Sequence, residues 1–346
     1  MLASFRKRTM LASCIVVALL AAAVAFAACG TVGPPPGHAA APAPRSANKQ
    51  TYAGWEALVL RNGAAEVTVV PAIGRIMQIA LVGEGKARGP LWSHRALGRD
   101  LAPDENGWIN FGGDKAWPAP QSGWEAIAGQ GWPPPRTFDA LAYEAVVDGP
   151  RLILTSAVDP AYGLRVRRTM ELDRAAPVLT VETCYEKVSG PPIRVGVWTI
   201  TQLISPDRLF LLLPARSAFA GGFAPRLPDP PKDLTVDGRL LSLARDPAAK
   251  TMIASDGETM LWVGDGPDLR IETVGPTGGG ADTWPDGAHA QIYTSSDAAE
   301  PYVELELLSP LRQLGTGDRA CLTVRYTLVP RVEADPTAEA RRVLRP

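Results

Sequence analysis

Histidine and cysteine are scarce in this chain, three and four residues in 346. The histidines stand far apart, at His38, His94 and His289, and the cysteines, at Cys14, Cys29, Cys184 and Cys321, show no zinc-ligand spacing. An oxygen-rich calcium loop is missing as well, so neither a metal nor a cofactor is expected. Ser205 and Ser309 fall in no nucleophile elbow or triad spacing. Gly278-Gly279-Gly280 does not stand between a strand and a helix, which makes it a loop and not a phosphate cradle. The formal net charge is −1, with no basic stripe, and this argues against nucleic acid as a partner. No repeat of fixed period is present, against propellers and solenoids. Beyond residue 28 no apolar run is long enough to cross a bilayer.

What is present begins with residues 1–28, a basic start (Arg6, Lys7, Arg8) followed by an apolar run from Met10 to Ala28. Charge, then hydrocarbon, then small residues is the order of a secretory signal peptide. The run closes as Phe26-Ala27-Ala28-Cys29-Gly30, which resembles the lipobox of bacterial lipoproteins. That resemblance implies lipidation of Cys29 and a membrane contact through the lipid anchor only. Cleavage near Ala27 or retention as an uncleaved anchor are the alternatives. All three export the folded part, to the periplasm or the cell surface. Residues 29–50, rich in Pro, Ala and Gly with no apolar face, read as a tether, and His38 within it has no chemical role.

Residues 51–346 are dense in short β-branched runs broken by turn pairs such as Asn62-Gly63, Asp148-Gly149-Pro150 and Ser189-Gly190-Pro191-Pro192. Candidate strands include Glu66–Val70, Arg75–Val82, Leu164–Leu172, Val178–Glu186, Ile193–Leu203, Tyr302–Leu308 and Cys321–Val329. Only the tail from Asp335-Pro336 reads as a helix, with Asp as N-cap and Pro at the first helical position. The pattern predicts an all-β sandwich or barrel as one domain. Residues 83–135 read as a long irregular stretch. Cys184 and Cys321 both lie in strand-like segments; they either pair in an oxidising compartment or remain buried thiols.

Five of the nine tryptophans fall between Leu91 and Pro135: Trp92, Trp108, Trp117, Trp124 and Trp132. A stretch so aromatic does not stay solvated. Either the rings cap one open end of a sandwich, or they form platforms for sugar rings, whose apolar faces stack on aromatics while hydroxyls need amides, carboxylates and cations. Asn110, Asp114, Lys115 and Gln121 supply such a polar set.

Ile73-Gly74-Arg75-Ile76-Met77, Trp108-Ile-Asn110-Phe-Gly-Gly-Asp114-Lys115-Ala-Trp117-Pro-Ala-Pro-Gln121, Gly131-Trp132-Pro-Pro134, Val197-Trp198-Thr-Ile-Thr-Gln202 and Pro301-Tyr-Val-Glu304-Leu-Glu306-Leu-Leu-Ser-Pro310 together carry a resemblance. Over about residues 52 to 330 the chain resembles a bacterial family of galactose-mutarotase-like, aldose 1-epimerase-related proteins with a GGDKxWPAPQ signature and no settled activity. The resemblance implies a β-supersandwich of two large antiparallel sheets, with a sugar-binding cleft across one concave sheet. Mutarotases use a late-strand Glu as base, for which Glu304 and Glu306 are the counterparts; both share one strand face, and Glu304 is favoured slightly. Their acid is a His on a central strand, whose nearest match here carries Trp198 and no histidine. Asp114, Lys115 or His94 then remain as acids, with His289 a lesser candidate. Arg75 matches an early-strand Arg that contacts sugar hydroxyls, its alternative being a structural ion pair. The expected saccharide contacts are Arg75, Asn110, Trp117, Gln121, Trp132 and Trp198. Three functions follow as expectations: a saccharide-binding lipoprotein, a carbohydrate-active enzyme of epimerase type, or a structural envelope lipoprotein with a vestigial cleft.

Overall fold

The computed structural model describes residues 48–83, 89–228, 230–275 and 283–346. The expected signal peptide, Cys14, Cys29, His38 and the triple glycine at 278–280 lie outside the described residues.

Alternation of apolar and polar residues, with turns every few residues, folds the described chain into two antiparallel sheets. The first has eleven strands. Its spatial order is β1 (Asn48–Tyr52), β2 (Trp55–Arg61), β3 (Ala65–Val70), β4 (Arg75–Leu81), β5 (Asp114–Ala119), β10 (Ile193–Ile204), β19 (Tyr302–Leu308), β18 (Ala290–Thr294), β15 (Thr251–Ser255) and β12 (Ala224–Pro225), with β20 (Arg312–Leu314) beside β10. The second has ten, in the order β13 (Thr235–Asp237), β14 (Leu240–Leu243), β11 (Arg208–Leu212), β16 (Thr259–Val263), β17 (Asp268–Thr273), β21 (Arg319–Val329), β9 (Val178–Lys187), β8 (Leu164–Leu172), β7 (Arg151–Val158) and β6 (Glu144–Asp148). One core cluster spans the space between them, with Val67, Ile76, Val197 and Leu305 from the first sheet and Val166, Val181, Ile271 and Val324 from the second.

The helix expected at the tail is α3 (Pro336–Leu344). The Asp335 side chain accepts from the Ala338 amide at 2.7 Å, satisfying one of the free donors of the first turn. Ala340 and Leu344 pack on Phe210, Leu240, Leu261 and Val263, the outer face of the second sheet. Elsewhere that face is polar, and Cys184 and Cys321 sit opposite one another on β9 and β21. They form a disulfide, with their Cα atoms 4.1 Å apart.

Two boundaries differ from the sequence reading. The sheet begins at Asn48, so Asn48, Lys49 and Gln50 are strand and not tether. Edge pairing through the main chain needs no apolar side chain, and this edge strand is exposed and polar, so it lacks the usual alternation. The stretch 83–135 contains β5 at the centre of the first sheet and a short helix, α1 (Trp124–Ala128). Pro118 hid the strand, since proline cannot donate to a ladder. β5 tolerates it because it pairs with β10 over six residues but with β4 only at Ile76–Asp114. Entry to β5 needs the two glycines ahead of it. Gly112 and Gly113 have φ of 88° and 73°, and a Cβ on either would lie 2.3 or 2.4 Å from the carbonyl oxygen of Trp92 or Ile76.

Candidate functional site

Strand parity decides which side chains meet. On β5, Asp114 points into the space between the sheets, and Lys115 and Trp117 therefore take the opposite face. Across the register, Trp117 stands beside Trp198 and Lys115 beside Ile200 on β10. The same rows continue to β19, where Ile200 is opposite Glu306, Gln202 opposite Glu304 and Ile204 opposite Tyr302. β18 adds Tyr293 beside Glu304, and β15 adds Met252 beside Tyr293. On this face lies a cavity of about 330 Å³, lined among others by Trp117, Gln121, Trp132, Trp198, Glu304 and Glu306.

Its aromatic wall is a cluster of five indoles. Trp117 lies at its centre, with ring centroids 5.5 to 6.5 Å from Trp108, Trp124, Trp132 and Trp198, all edge-on to it. Such edge-to-face packing is the favoured arrangement of aromatic quadrupoles. Trp132 stacks near-parallel on the fully buried Trp124 and is itself 37% exposed. Indole N–H groups fix the ring planes. Asp139, on the single-turn helix α2 (Arg136–Asp139), accepts from Trp117 Nε1 at 2.9 Å and from Trp108 Nε1 at 3.0 Å. Trp124 Nε1 donates to the Pro118 carbonyl at 2.7 Å.

The floor carries the charge. Lys115 Nζ lies 3.4 Å from Glu304 Oε1 and 4.7 Å from the Trp117 ring centroid. Burial lowers the Lys115 pKa, and Glu304 opposes that shift. Glu306 accepts from Trp198 Nε1 at 2.8 Å. Burial first, and then the neighbouring Glu304, push the Glu306 carboxyl well above the usual carboxylate range. Burial also raises Tyr302 and Tyr293, with Glu304 the second cause for each. The floor therefore presents a carboxyl whose neutral form is favoured, a second carboxyl paired with lysine, and two phenols, an array of hydrogen-bonding groups suited to hydroxyls.

Of the residues expected at the site, Trp117, Gln121, Trp132, Trp198, Glu304 and Glu306 line this cavity, and the buried Lys115 lies behind it against Glu304 and the Trp117 ring. Asp114 does neither. It is fully buried between the sheets, ion-paired with Arg168 of β8 and accepting from Thr201 Oγ1 at 2.9 Å and Tyr326 OH at 2.7 Å. Its role is to join the sheets, and period-two alternation makes this unavoidable once Lys115 faces the cleft. Arg75 is also enclosed, donating to Asp139 Oδ1 at 2.6 Å and to the Gly112 carbonyl at 2.8 Å. It is the structural ion pair, and it holds the carboxylate that fixes Trp117 and Trp108. His94 and Asn110 meet on Glu300, ahead of β19. His94 Nδ1 accepts from the Ala96 amide at 3.0 Å, which leaves the proton on Nε2, 3.3 Å from Glu300 Oε1. Asn110 Nδ2 donates to Glu300 Oε2 at 2.8 Å. With both nitrogens engaged, His94 is a loop fastener. His289 pairs with Glu258 and stacks on Trp284, outside the cavity lining. Among the described residues no group of three or more His, Cys, Asp or Glu is placed to hold a metal ion.

The sequence reading missed Tyr293, Tyr302, Lys250 and Met252 in the lining. For Tyr302 the signal was available, two positions before Glu304 on the same strand face. Tyr293 and Met252 depend on the order of β15 and β18 in the sheet, which spacing along the chain does not encode.

No family model matches the chain, and no curated protein matches it significantly. Solved structures do match its fold. A galactose mutarotase-like protein from Lactobacillus casei superposes with a TM-score of 0.53 at 9% identity, over 79% of this chain and 99% of that one. A candidate aldose 1-epimerase from Escherichia coli gives 0.51 at 14%, over 79% and 99%. A candidate mutarotase from Salmonella typhimurium gives 0.53 at 11%, over 83% and 94%. The fold of this chain is thus the galactose-mutarotase-like β-supersandwich.

Proposed function

We propose that this protein is an exported, lipid-anchored carbohydrate-binding protein whose ligand sits on the Trp-walled face of the first sheet. The observation that carries the reading is the convergence, in one cavity, of the Trp117, Trp132 and Trp198 rings with Glu304 and Glu306. Trp132, 37% exposed, offers a flat indole to the apolar face of a sugar, with the buried Trp117 and Trp198 packed behind it, and the floor carboxyls offer hydrogen-bond partners to its hydroxyls. Mutarotase-like neighbours, named for work on aldoses, support a saccharide as the ligand. Export is supported by the lipobox-like run ending at Cys29 and by the Cys184–Cys321 disulfide, a bond that persists in oxidising compartments.

A second reading, epimerase-like catalysis, draws on one specific observation. Burial and the neighbouring Glu304 raise the Glu306 carboxyl, and a raised carboxyl next to a second carboxylate in a cleft is an acid–base signature. Geometry favours binding, however. Proton transfer at an anomeric centre needs an acid and a base on opposite sides of the reacting carbon. Both carboxyls lie two residues apart on one strand, and the facing wall is indole.

The full-length chain tested against an immobilised saccharide library, with calorimetry on the hits, examines the first reading. Binding in the micromolar to millimolar range that Glu304→Gln weakens is expected. Absence of any saccharide binding at millimolar concentration would overturn it. Turnover of an aldose anomer that Glu304→Gln abolishes would establish the second reading instead. For the anchor, labelling with radioactive palmitate should disappear in Cys29→Ser; label that persists in that variant would refute lipidation at this cysteine.

A further inference from the structure

We infer that the cleft continues beyond Tyr302 into a second cavity, so that the ligand is an oligosaccharide seated across two subsites; this rests on the saccharide reading above. A cavity of about 720 Å³, larger than the first, is lined by Tyr52, Gln78, Trp92, His94, Arg95 and Ile204 among others. Ile204 belongs to the same alternate row of β10 as Trp198, which lines the first cavity. Six residues separate them, a run of about 20 Å at roughly 3.3 Å per residue. The two cavities therefore follow one another along a single strand and on a single sheet face.

The two linings meet at a ring pair. Trp92 lines the second cavity and Tyr302 the first, and their centroids are 4.9 Å apart at 36°. The Trp92 amide donates to the Gln202 carbonyl at 2.9 Å, which fastens the partition to β10. Beneath it lies the Gln202 side chain, opposite Glu304 in register, fully buried, with neither amide atom partnered. Interiors seldom leave such groups unmatched. An ordered water enclosed at the partition would satisfy them.

The linings differ in a way that suits successive rings of one chain. The first offers stacked indoles over carboxyls. The second offers the exposed guanidinium of Arg95, the Tyr52 phenol and the Gln78 amide beside the buried Trp92, groups that donate to hydroxyls or to a uronic carboxylate. A monosaccharide held between Trp117 and Glu306 reaches none of these. A chain of several residues reaches both sets.

The test uses the full-length chain and a size series of immobilised saccharides, from monosaccharides to hexasaccharides, read by surface binding. Affinity is expected to rise at least tenfold between the monosaccharide and the tetrasaccharide of a recognised series. Arg95→Ala and Gln78→Ala should each remove most of that rise and leave monosaccharide affinity within twofold, and neither residue belongs to the first cavity. Equal affinity for all lengths would overturn the second subsite while leaving the saccharide reading intact. A rise that survives both substitutions would place the extra contacts elsewhere and overturn the inference equally. No binding at any length would overturn the saccharide reading itself.

Discussion

Trp198 and Glu306 are joined across adjacent strands by an indole N–H that donates to the buried Glu306 carboxyl oxygen at 2.8 Å. The pair lies where β10 and β19 run side by side, and it fixes at once a ring plane of the aromatic wall and a carboxyl of the floor. Burial, and then Glu304 two residues away on the same face, push the Glu306 carboxyl well above the usual carboxylate range.

Glu306→Gln reproduces the neutral acid, so it should keep the fold and expose the linkage. A carboxyl whose pKa is raised on folding binds more protons in the folded than in the unfolded state between its two pKa values. Its contribution to stability is complete below the unfolded value of about 4.3 and is lost as pH rises through the folded one. Melting temperatures measured from pH 5 to 9 should therefore decline with pH more steeply for the parent than for Glu306→Gln. Parallel curves would show that Glu306 ionises freely.

Asp114 is a structural residue, and its replacement should separate folding from binding. Arg168, Thr201 and Tyr326 all converge on its carboxylate between the sheets. Asp114→Ala leaves the Arg168 guanidinium buried without its partner, which costs about 3–5 kcal/mol by analogy with other broken buried pairs. Denaturant unfolding should register that loss, while the folded fraction binds saccharide within about twofold of the parent. A large fall in affinity at unchanged stability would return Asp114 to the cleft.

Docking of α3 should weaken at alkaline pH. Asp268 on β17 is raised to about 8, by burial first and then by Glu339 of the helix. Glu339 is itself lowered to about 2, chiefly by the hydrogen bond from Arg342. Stability tied to Asp268 is thus present below about pH 4 and lost as pH rises through 8, whereas that tied to Glu339 is lost only as pH falls toward 2. Amide exchange within Pro336–Leu344 should accelerate above pH 8 after correction for intrinsic rate, and Asp268→Asn should suppress the acceleration. Exchange with no pH-dependent excess would refute the coupling.

The strands were legible because period-two alternation is written directly in segments such as Leu164–Leu172 and Cys321–Val329. The same rule placed Glu304 and Glu306 on one face. It was not applied to Asp114 and Lys115, whose adjacency on β5 forces them to opposite faces, because Pro118 made that segment read as loop. The resemblance implied that Arg75 contacts sugar, with a structural ion pair as the alternative; that Asp139 lies against it is a tertiary fact, since 64 residues separate the two. His94 was likewise decided by its neighbours in space. Its own loop amide, Ala96 N, takes one nitrogen, and Glu300, distant in sequence, takes the other.

Trp132 is the most exposed of the five clustered indoles, 37% accessible and stacked on Trp124 from outside. Removing its ring leaves the four inner indoles, with Trp117 still held by Asp139 and Trp124 by Pro118. The cost should fall on the ligand and not on the fold. An aromatic contact of good geometry contributes about 0.5–1.5 kcal/mol beyond burial, and tenfold in affinity corresponds to about 1.4 kcal/mol. Trp132→Ala should accordingly weaken saccharide binding roughly two- to tenfold and shift the melting temperature little. Trp132→Phe should recover part of the loss, because a smaller flat face remains. Unchanged affinity in Trp132→Ala would mean that the exposed ring closes the sandwich end and meets no ligand, and the binding platform would then shrink to Trp117 and Trp198.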